Sequence, residues 1–528
     1  MRVSTGAVVA LIAACGLAAC GGGTPTPARA PAVAEFIDVV AALPRSLDPA
    51  AERGAAFDAV ETSLAGTLVR PAGRPPGAAT LAPAGAMVGF LATSWRRLPR
   101  GDYTFLLRHG VASGYGHTLG PADVAFSFRR ELALSAAARA LAAAGRISLA
   151  DPVTVLGAQT VRVNVTAPSP FTLAVLGDFR FGVLDSRAVR AHESAADPRA
   201  RGWLAGHLAF YGAWELLGFQ PAGKLLLRAN PRFWRAPAFG LVAIEAVPSA
   251  ALRLADVATA EASHTDGLDW ADFEVAAHTS GVRAVTLAST AVSTLMPDER
   301  FRPFASVLVR RALSLAIDRA AISRAAFAGV AHPARQPLSG TLAPGLREPA
   351  YPHDVALARR LLGRAGYPHG FAVVVAACRA GDPQAPAELA SITRALRVIG
   401  VRVRVRFVAD SADLAALARA GAVGAVLETT TAAVASAAFA IAADYLPGSS
   451  GDIEGYDAPA LDALAGPLTA TAPAGTASAT LARALAILDA TFPVIPLVEV
   501  PGQEVTRTRI GGYAAYPAAA VYYDQLSG

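Results

Sequence analysis

Tyr103-Thr-Phe-Leu-Leu-Arg-His-Gly-Val111 and, a few residues on, Leu119-Gly-Pro-Ala-Asp-Val-Ala-Phe-Ser-Phe128 set a strand beside the start of a helix. The first stretch carries aromatic and aliphatic residues in a short run and reads as a strand. The second places Pro121 just ahead of an apolar periodic run, where proline suits the first turn of a helix. On either side of them the same mixture continues. Glu35-Phe-Ile-Asp-Val-Val-Ala41 and Val161-Arg-Val-Asn-Val165 read as strands. Trp214 to Arg228 reads as two strands joined by a Pro/Gly turn at Pro221-Ala-Gly223.

Helices dominate further on. Val309, Ala312, Leu313, Ala316, Ile317 and Ala320 recur at helical spacing, with Arg310, Arg311, Asp318 and Arg319 off that stripe. Val355–Ala365 predicts a second helix, started near Asp354 and stopped by Gly366. A third is predicted over residues 388–400. It is followed by Val401-Arg-Val-Arg-Val-Arg-Phe407, whose strict alternation predicts a half-buried strand with arginines on the wet face. Residues 465–480 read as a loop and a poor helix start, and no internal repeat is present. Short strands alternating with helices indicate an α/β architecture. The chain has 528 residues, 53% of them hydrophobic, enough for more than one domain.

The opening residues bear on the compartment. Met1-Arg2 precedes an apolar run from Val8 to Ala19 that is shorter than a bilayer span. The run closes on Leu17-Ala-Ala-Cys20, so residues 1–19 read as a secretory signal. The Leu-Ala-Ala-Cys ending resembles the bacterial lipobox, which implies lipidation of Cys20. Residues 20–34, rich in Pro and Ala, then form a flexible tether. Apart from Cys15 and Cys20 only Cys378 remains, so the mature fold holds no internal disulfide and no cysteine metal site. Cys378 is expected to be a buried strand residue.

Composition excludes several functions. The net charge of +6 comes from scattered arginines, with Lys224 the only lysine. That pattern, in an exported chain, argues against a nucleic-acid partner. Gly218 and Gly223-Lys224 nearly spell a phosphate-binding loop, but Leu225 stands where the Ser or Thr is required. No nucleophile elbow, zinc-protease motif or Cys/His pair occurs, and the nine histidines lack metal spacing. An enzyme, a bound metal and a cofactor are therefore not expected.

Several segments, in order, resemble the peptide/nickel-binding family of extracytoplasmic solute receptors that serve ABC importers. They are Pro44-Arg-Ser-Leu-Asp-Pro-Ala50, Leu91-Ala-Thr-Ser-Trp95 with the two stretches quoted first, Leu227-Arg-Ala-Asn-Pro-Arg-Phe-Trp234, Val309-Arg-Arg-Ala-Leu-Ser-Leu-Ala-Ile-Asp-Arg319, Ala358-Arg-Arg-Leu-Leu-Gly-Arg-Ala-Gly-Tyr367, Ala443-Asp-Tyr445 and Gly455-Tyr-Asp-Ala-Pro459. The resemblance implies a two-lobed periplasmic-binding-protein fold with hinge strands and an extra N-terminal subdomain. Lobe I would comprise residues 35–50, 166–275 and 486–528, its extra subdomain 51–165, and lobe II 276–485. It also implies a monomer, anchored through lipid on the extracytoplasmic face of the membrane. Such a receptor closes on a peptide or other small solute and passes it to the permease subunits.

In peptide-binding members an aspartate in a Trp-x-x-Asp-Tyr-like segment pairs with the ligand's α-amino group. Here Ile441 replaces the tryptophan, and Ala443, Asp444 and Tyr445 match the rest. Asp444 would either take that ammonium or brace the loop before Pro447-Gly448. The resemblance also implies that Arg53, Gly54 and Ala55 run beside the ligand; Arg53 would meet a carboxylate or remain a solvated surface arginine. The family's Gly-Thr-Gly-Pro-Tyr segment is replaced by His207-Leu-Ala-Phe-Tyr-Gly-Ala213 ahead of Trp214. The asparagine shortly before Gly455-Tyr456 is missing, and Gly116-His-Thr stands for the Asp-Gly before Leu119. These departures leave a second expectation open, that of a solute-binding-protein-like lipoprotein repurposed for envelope regulation or sensing without transport.

Overall fold

The computed structural model describes residues 34–51, 54–342, 351–379, 382–409, 411–446, 456–517 and 521–528. Cys20, the signal and most of the tether, Arg53, Pro447-Gly448 and Gly455 lie outside the described residues. Residues 34–528 form one compact unit.

Two large sheets organise that unit. The first has seven strands in the order Val282–Leu287, Gly502–Arg507, His264–Thr265, Glu35–Val40, Leu241–Ala246, Lys224–Ala229 and Trp214–Gln220. Glu35–Val40 pairs in parallel with Leu241–Ala246, from Glu35 opposite Leu241 to Val40 opposite Ala246. The second has six strands in the order His332–Pro333, Ile495–Glu499, Val292–Pro297, Ala425–Thr430, Ala372–Cys378 and Arg402–Val408. Ala372–Cys378 runs parallel to both of its neighbours. Helices cover the sheets, which makes two α/β lobes. A four-stranded antiparallel sheet, built from Ala92–Arg97, Tyr103–Leu107, Thr160–Val163 and Val153–Val155, joins the first lobe.

Among the described residues the chain passes between the large sheets twice. It leaves Val282–Leu287 and enters Val292–Pro297, and it later returns from Ile495–Glu499 to Gly502–Arg507. The two crossings lie side by side: the Val500 amide donates to the Ala291 carbonyl at 2.9 Å. Leu287 pairs with Gly502 on one side of them and Val292 with Glu499 on the other.

Local chemistry explains the elements. Pro121–Leu134 forms the helix announced by Pro121, and the Asp123 carboxylate accepts from the Gly120 amide at 2.8 Å. The 214–229 segment is an antiparallel hairpin, and Lys224 pairs with Glu245 at 2.6 Å. Asp354 caps Val355–Arg364, and Gly366 follows with φ +87°, a left-handed conformation natural to glycine. Arg402, Arg404 and Arg406 are exposed on an edge strand, which charge guards against pairing with another chain.

Three expectations need correction. The stripe from Val309 to Ala320 is two helices, Val307–Ala316 and Arg319–Ala326. Ile317 is extended between them, and Asp318 caps the second by accepting from the Ala321 amide at 3.0 Å. A residue that favours caps ends one helix and starts another; Arg319 is buried there and Ala320 exposed. Residues 465–480 keep a loop only at 470–473, between the helix Ala465–Thr469 and the start of Ala474–Thr491. Alanine's high helix propensity outweighs the threonines and glycine of that stretch. Cys378 ends its strand and is only half-buried.

Candidate functional site

The turn after Ala372–Cys378, a parallel strand of the second lobe, reaches the first lobe. In open α/β sheets the crevice beyond the carboxyl ends of the strands is where ligands bind. Ala372–Cys378 is followed by a turn through Asp382 to Gln384 and then by the helix Ala385–Val398. The Gln384 side-chain amide donates to the Leu268 carbonyl of the first lobe at 3.2 Å. Gln503, on the strand beyond the second crossing, donates to the same carbonyl at 2.8 Å. Further contacts close the lobes on each other. Phe171 packs edge-on against Phe439 with ring centroids 5.5 Å apart. Arg146 reaches Thr469 at 2.7 Å and Arg97 reaches Thr471 at 2.9 Å.

Carboxyls line this region of the second lobe. Glu428 stands near the end of Ala425–Thr430. Thr429 donates to Asp382 at 3.4 Å, and Ser293 donates to Glu388 Oε2 at 2.5 Å. Ser293 and Thr429 are register partners, as are Thr294 and Glu428. Burial raises all of these acids. It pushes Glu388 up to about 8, with the Asp382 carboxylate adding to the effect and the Ser293 hydroxyl opposing it. Burial also raises Asp382, against the Ala385 and Gln384 amides that favour its charge, and raises Glu428 together with Asp382.

Asp444 is the last residue of the helix Ala437–Asp444. It lies deep among protein atoms yet keeps an accessible edge. Burial, and after it the Glu428 carboxylate, pushes its carboxyl up to about 7. The end of a helix is itself unfavourable for negative charge. Across the crevice, burial and Glu504 push Asp266 up to about 6, opposed by His264. His264 is buried between Asp38, at 2.8 Å, and Glu504, at 2.5 Å.

The other anticipated residues fall in different places. Ala443 packs against the first lobe's core. Tyr445 is buried, its ring edge-on to Tyr456 at 6.4 Å. Gly54 precedes the helix Ala55–Leu64 with φ +129°, a conformation that suits glycine. Among the described residues no hydrogen bond, ion pair or ring contact joins Gly54 or Ala55 to Asp444. Sequence reasoning missed Asp382, Glu388 and Glu428. The available signal was an acid just past each of two apolar strand runs, Phe371–Cys378 and Val423–Leu427. Among the described residues no group of three or more His, Cys, Asp or Glu is disposed to hold a metal ion, and no helix is long and apolar enough to cross a membrane.

Comparison with known proteins bears on this crevice. The profile of the bacterial extracellular solute-binding proteins, family 5 Middle, matches residues 86–452. The glutathione-binding protein of Pectobacterium atrosepticum is 36% identical over 104 residues; the match spans 20% of this chain and 20% of that relative's length. In fold, the chain superposes with a TM-score of 0.81 on a periplasmic binding protein from Helicobacter pylori in complex with peptide STSA. The identity is 20%, with 93% of this chain and 98% of the other covered. The dipeptide-binding protein of a Pseudoalteromonas species, in complex with Met-Leu, gives 0.80 at 18% identity, covering 93% and 99%.

Proposed function

Since the chain belongs to family 5 of the bacterial extracellular solute-binding proteins, which are binding proteins rather than enzymes, we propose that it captures a short peptide between its lobes and hands it to the permease subunits of an ABC importer. The observation that carries this reading is Asp444. It is a carboxyl with an accessible edge at the closed crevice, and among the described residues it makes no ion pair. A peptide's α-ammonium supplies the partner, through a charge-assisted hydrogen bond that is strong away from water. Arg53, Gly54, Ala55, Ala443 and Tyr445 belong to the proposal only as neighbours of the peptide.

Closure must draw its free energy from contacts the ligand makes only when the lobes meet. The two crossings at 288–291 and 500–501 are the natural hinge, because few residues there absorb the rotation. We place the lobe boundaries at those crossings rather than at 276 and 486, with the small antiparallel sheet as the extra subdomain. Lipid attachment at Cys20, supported by Leu17-Ala-Ala-Cys20, would hold this monomer beside its permease on the extracytoplasmic face. The binding itself calls on no metal or cofactor.

Native mass spectrometry of the purified protein tests the reading. A bound mass that fragments as a peptide supports it. A bound non-peptide solute, retained with comparable affinity when peptides are offered in excess, would remove the peptide from the account.

A further inference from the structure

We infer that the end of the second lobe opposite the crevice is a docking surface for anionic lipid headgroups, through Arg302, Arg359, Arg364, Arg397, Arg402 and Arg419. Seated there, the receptor turns its crevice away from the bilayer and toward arriving solute. The inference uses the crevice's place in the fold and not the identity of its ligand, so the two readings fail separately. Its first support is position. Ala372–Cys378 runs parallel to Arg402–Val408 and to Ala425–Thr430, and Val292–Pro297 runs against them, with Pro297 opposite Ala425. Three strand starts and one strand end therefore share an edge, the edge away from the crevice. Arg364, Arg397 and Arg419 stand in the last turns of the helices that lead into the three parallel strands. Arg402 opens one of those strands, and Arg302 follows Val292–Pro297.

Packing gathers these loops into one surface. Phe301 and Phe304 pack against Phe371 with ring centroids 6.2 and 5.7 Å apart, and Tyr367 joins Phe371 at 5.4 Å. The Gly400 backbone lies so close to Gly370 that no Cβ fits there. Arg359 donates to the Val398 carbonyl at 2.9 Å, which brings it beside the turn that joins Arg397 to Arg402. Arg300 donates to the Arg419 carbonyl, also at 2.9 Å, which ties the loop carrying Arg302 to the end of that helix. Arginines that the sequence scatters are thus neighbours in the fold.

The second support is charge. All six arginines are exposed, and among the described residues none of them pairs with a carboxylate. The acids of the same loops are engaged elsewhere. Asp298 is buried and paired with Arg300 at 2.8 Å, and Glu299 is half-buried and paired with Arg310 at 3.2 Å. Asp457, exposed and close enough for its charge to act on Glu299, bounds the surface on that side. Residues 355–408 hold nine arginines against Asp382 and Glu388, an excess larger than the net charge of +6 for the whole chain. A basic last turn suits the negative end of a helix, which accounts for Arg364, Arg397 and Arg419 but not for Arg302, Arg359 or Arg402. The partner that fits is a sheet of anions. A stable protein interface forms round a water-free apolar core, and here the rings pack on one another, with Val398 the large apolar side chain exposed beside the arginines. Guanidinium forks match phosphate oxygens, and each basic side chain near an anionic bilayer strengthens binding about fivefold. The lipid proposed at Cys20 and the short tether to residue 34 would keep this surface within reach of a membrane.

Co-sedimentation with vesicles tests the surface, using the full chain with Cys20→Ser so that no acyl chain contributes. One set of vesicles is phosphatidylcholine alone, and in the other about a third is phosphatidylglycerol. We expect at least tenfold tighter binding to the anionic set in about 0.1 M salt, and a ratio near one in about 1 M salt, where the screening length falls to about 3 Å. Arg397→Glu with Arg402→Glu should bring the ratio near one at low salt while peptide binding stays as in the parent; a glutamate at 402 still guards the edge strand by charge. Arg302→Glu with Arg419→Glu, on the other flank, should do the same and guards against misfolding of the first pair. Reversal of Arg100 and Arg232, exposed on the first lobe, should leave the preference intact. Equal loss in that control overturns the surface, because net charge alone would then act. No preference for the anionic vesicles overturns it too, and a loss of uptake in cells carrying the reversed pairs would then assign these arginines to an acidic protein. Anionic preference in a protein that binds no peptide upholds the surface and overturns the receptor.

Discussion

Gln384 Nε2 donates to the Leu268 carbonyl at 3.2 Å, and that bond ties the start of a second-lobe helix to the first lobe across the crevice. Leu268 also accepts from Gln503, two residues past the second crossing. One carbonyl therefore receives donors from a moving wall and from the strand beside the hinge. A hydrogen bond contributes about 1 kcal/mol net, enough to change an open–closed ratio roughly fivefold. Gln384→Ala should enlarge the ligand-free protein in small-angle scattering and leave the ligand-bound radius as it was. An unchanged ligand-free radius would show that this bond does not hold the lobes together.

Binding should also depend on pH. Asp444, raised to about 7, is largely protonated in mildly acidic solution. It must ionise to meet the peptide's ammonium, so binding releases protons and affinity rises with pH from about 5.5 to 7.5. Calorimetry in two buffers of different ionisation enthalpy reads the released protons directly. Affinity that weakens over that range would reverse the assigned charges.

The first lobe makes a separate prediction about stability. Glu61 is fully buried, and neither of its oxygens has a partner. Burial first, then the Asp48, Glu131 and Asp58 carboxylates, holds it well above the ordinary range, and burial with Asp48 pushes Glu131 up to about 8. The folded state keeps protons that the unfolded chain releases. Their contribution to stability is therefore full below the ordinary carboxyl value near 4.5 and declines as pH rises toward 8. Glu61→Gln should be near neutral at pH 4.5, stabilising at pH 8, and should flatten the denaturant midpoint against pH. A profile as steep as the parent's would locate the titration elsewhere.

Asp48 and Arg130 form a buried two-point ion pair at 2.8 and 2.9 Å. Removing one partner strands the other charge, so Asp48→Ala should cost about 3–5 kcal/mol in chemical unfolding. A loss below about 1 kcal/mol would mean that Arg130 finds water or another acceptor.

How much of this the sequence carried can be judged residue by residue. Pro121, Asp354 and Gly366 announced their helices because caps and turns are local chemistry. The arginines of 402–406 announced an edge strand because alternation is also local. The break at Ile317 was hidden, since an apolar stripe continues through a cap unless Asp318 is weighed as one. The helices within 465–491 were hidden by threonine and glycine in an alanine-rich run. At the site, the motif around Asp444 was legible as a short segment. Asp382, Glu388 and Glu428 were not, because their burial depends on the pairing of Ala372–Cys378 with Ala425–Thr430 and on Ser293 opposite Thr429. No stretch of sequence displays that pairing.

The central claim is that this chain is a receptor whose Asp444 anchors the amino end of a peptide. Thermal unfolding of the protein and of Asp444→Ala, each with and without a defined peptide pool, tests it most directly. Ligand at 100 times its dissociation constant adds about 2.7 kcal/mol, which in a chain of this length moves the melting point by roughly 2–3 °C. The parent should show that upward shift and Asp444→Ala should lose it. A parent protein stripped of ligand that no peptide shifts, or a variant that shifts as far as the parent, would contradict it.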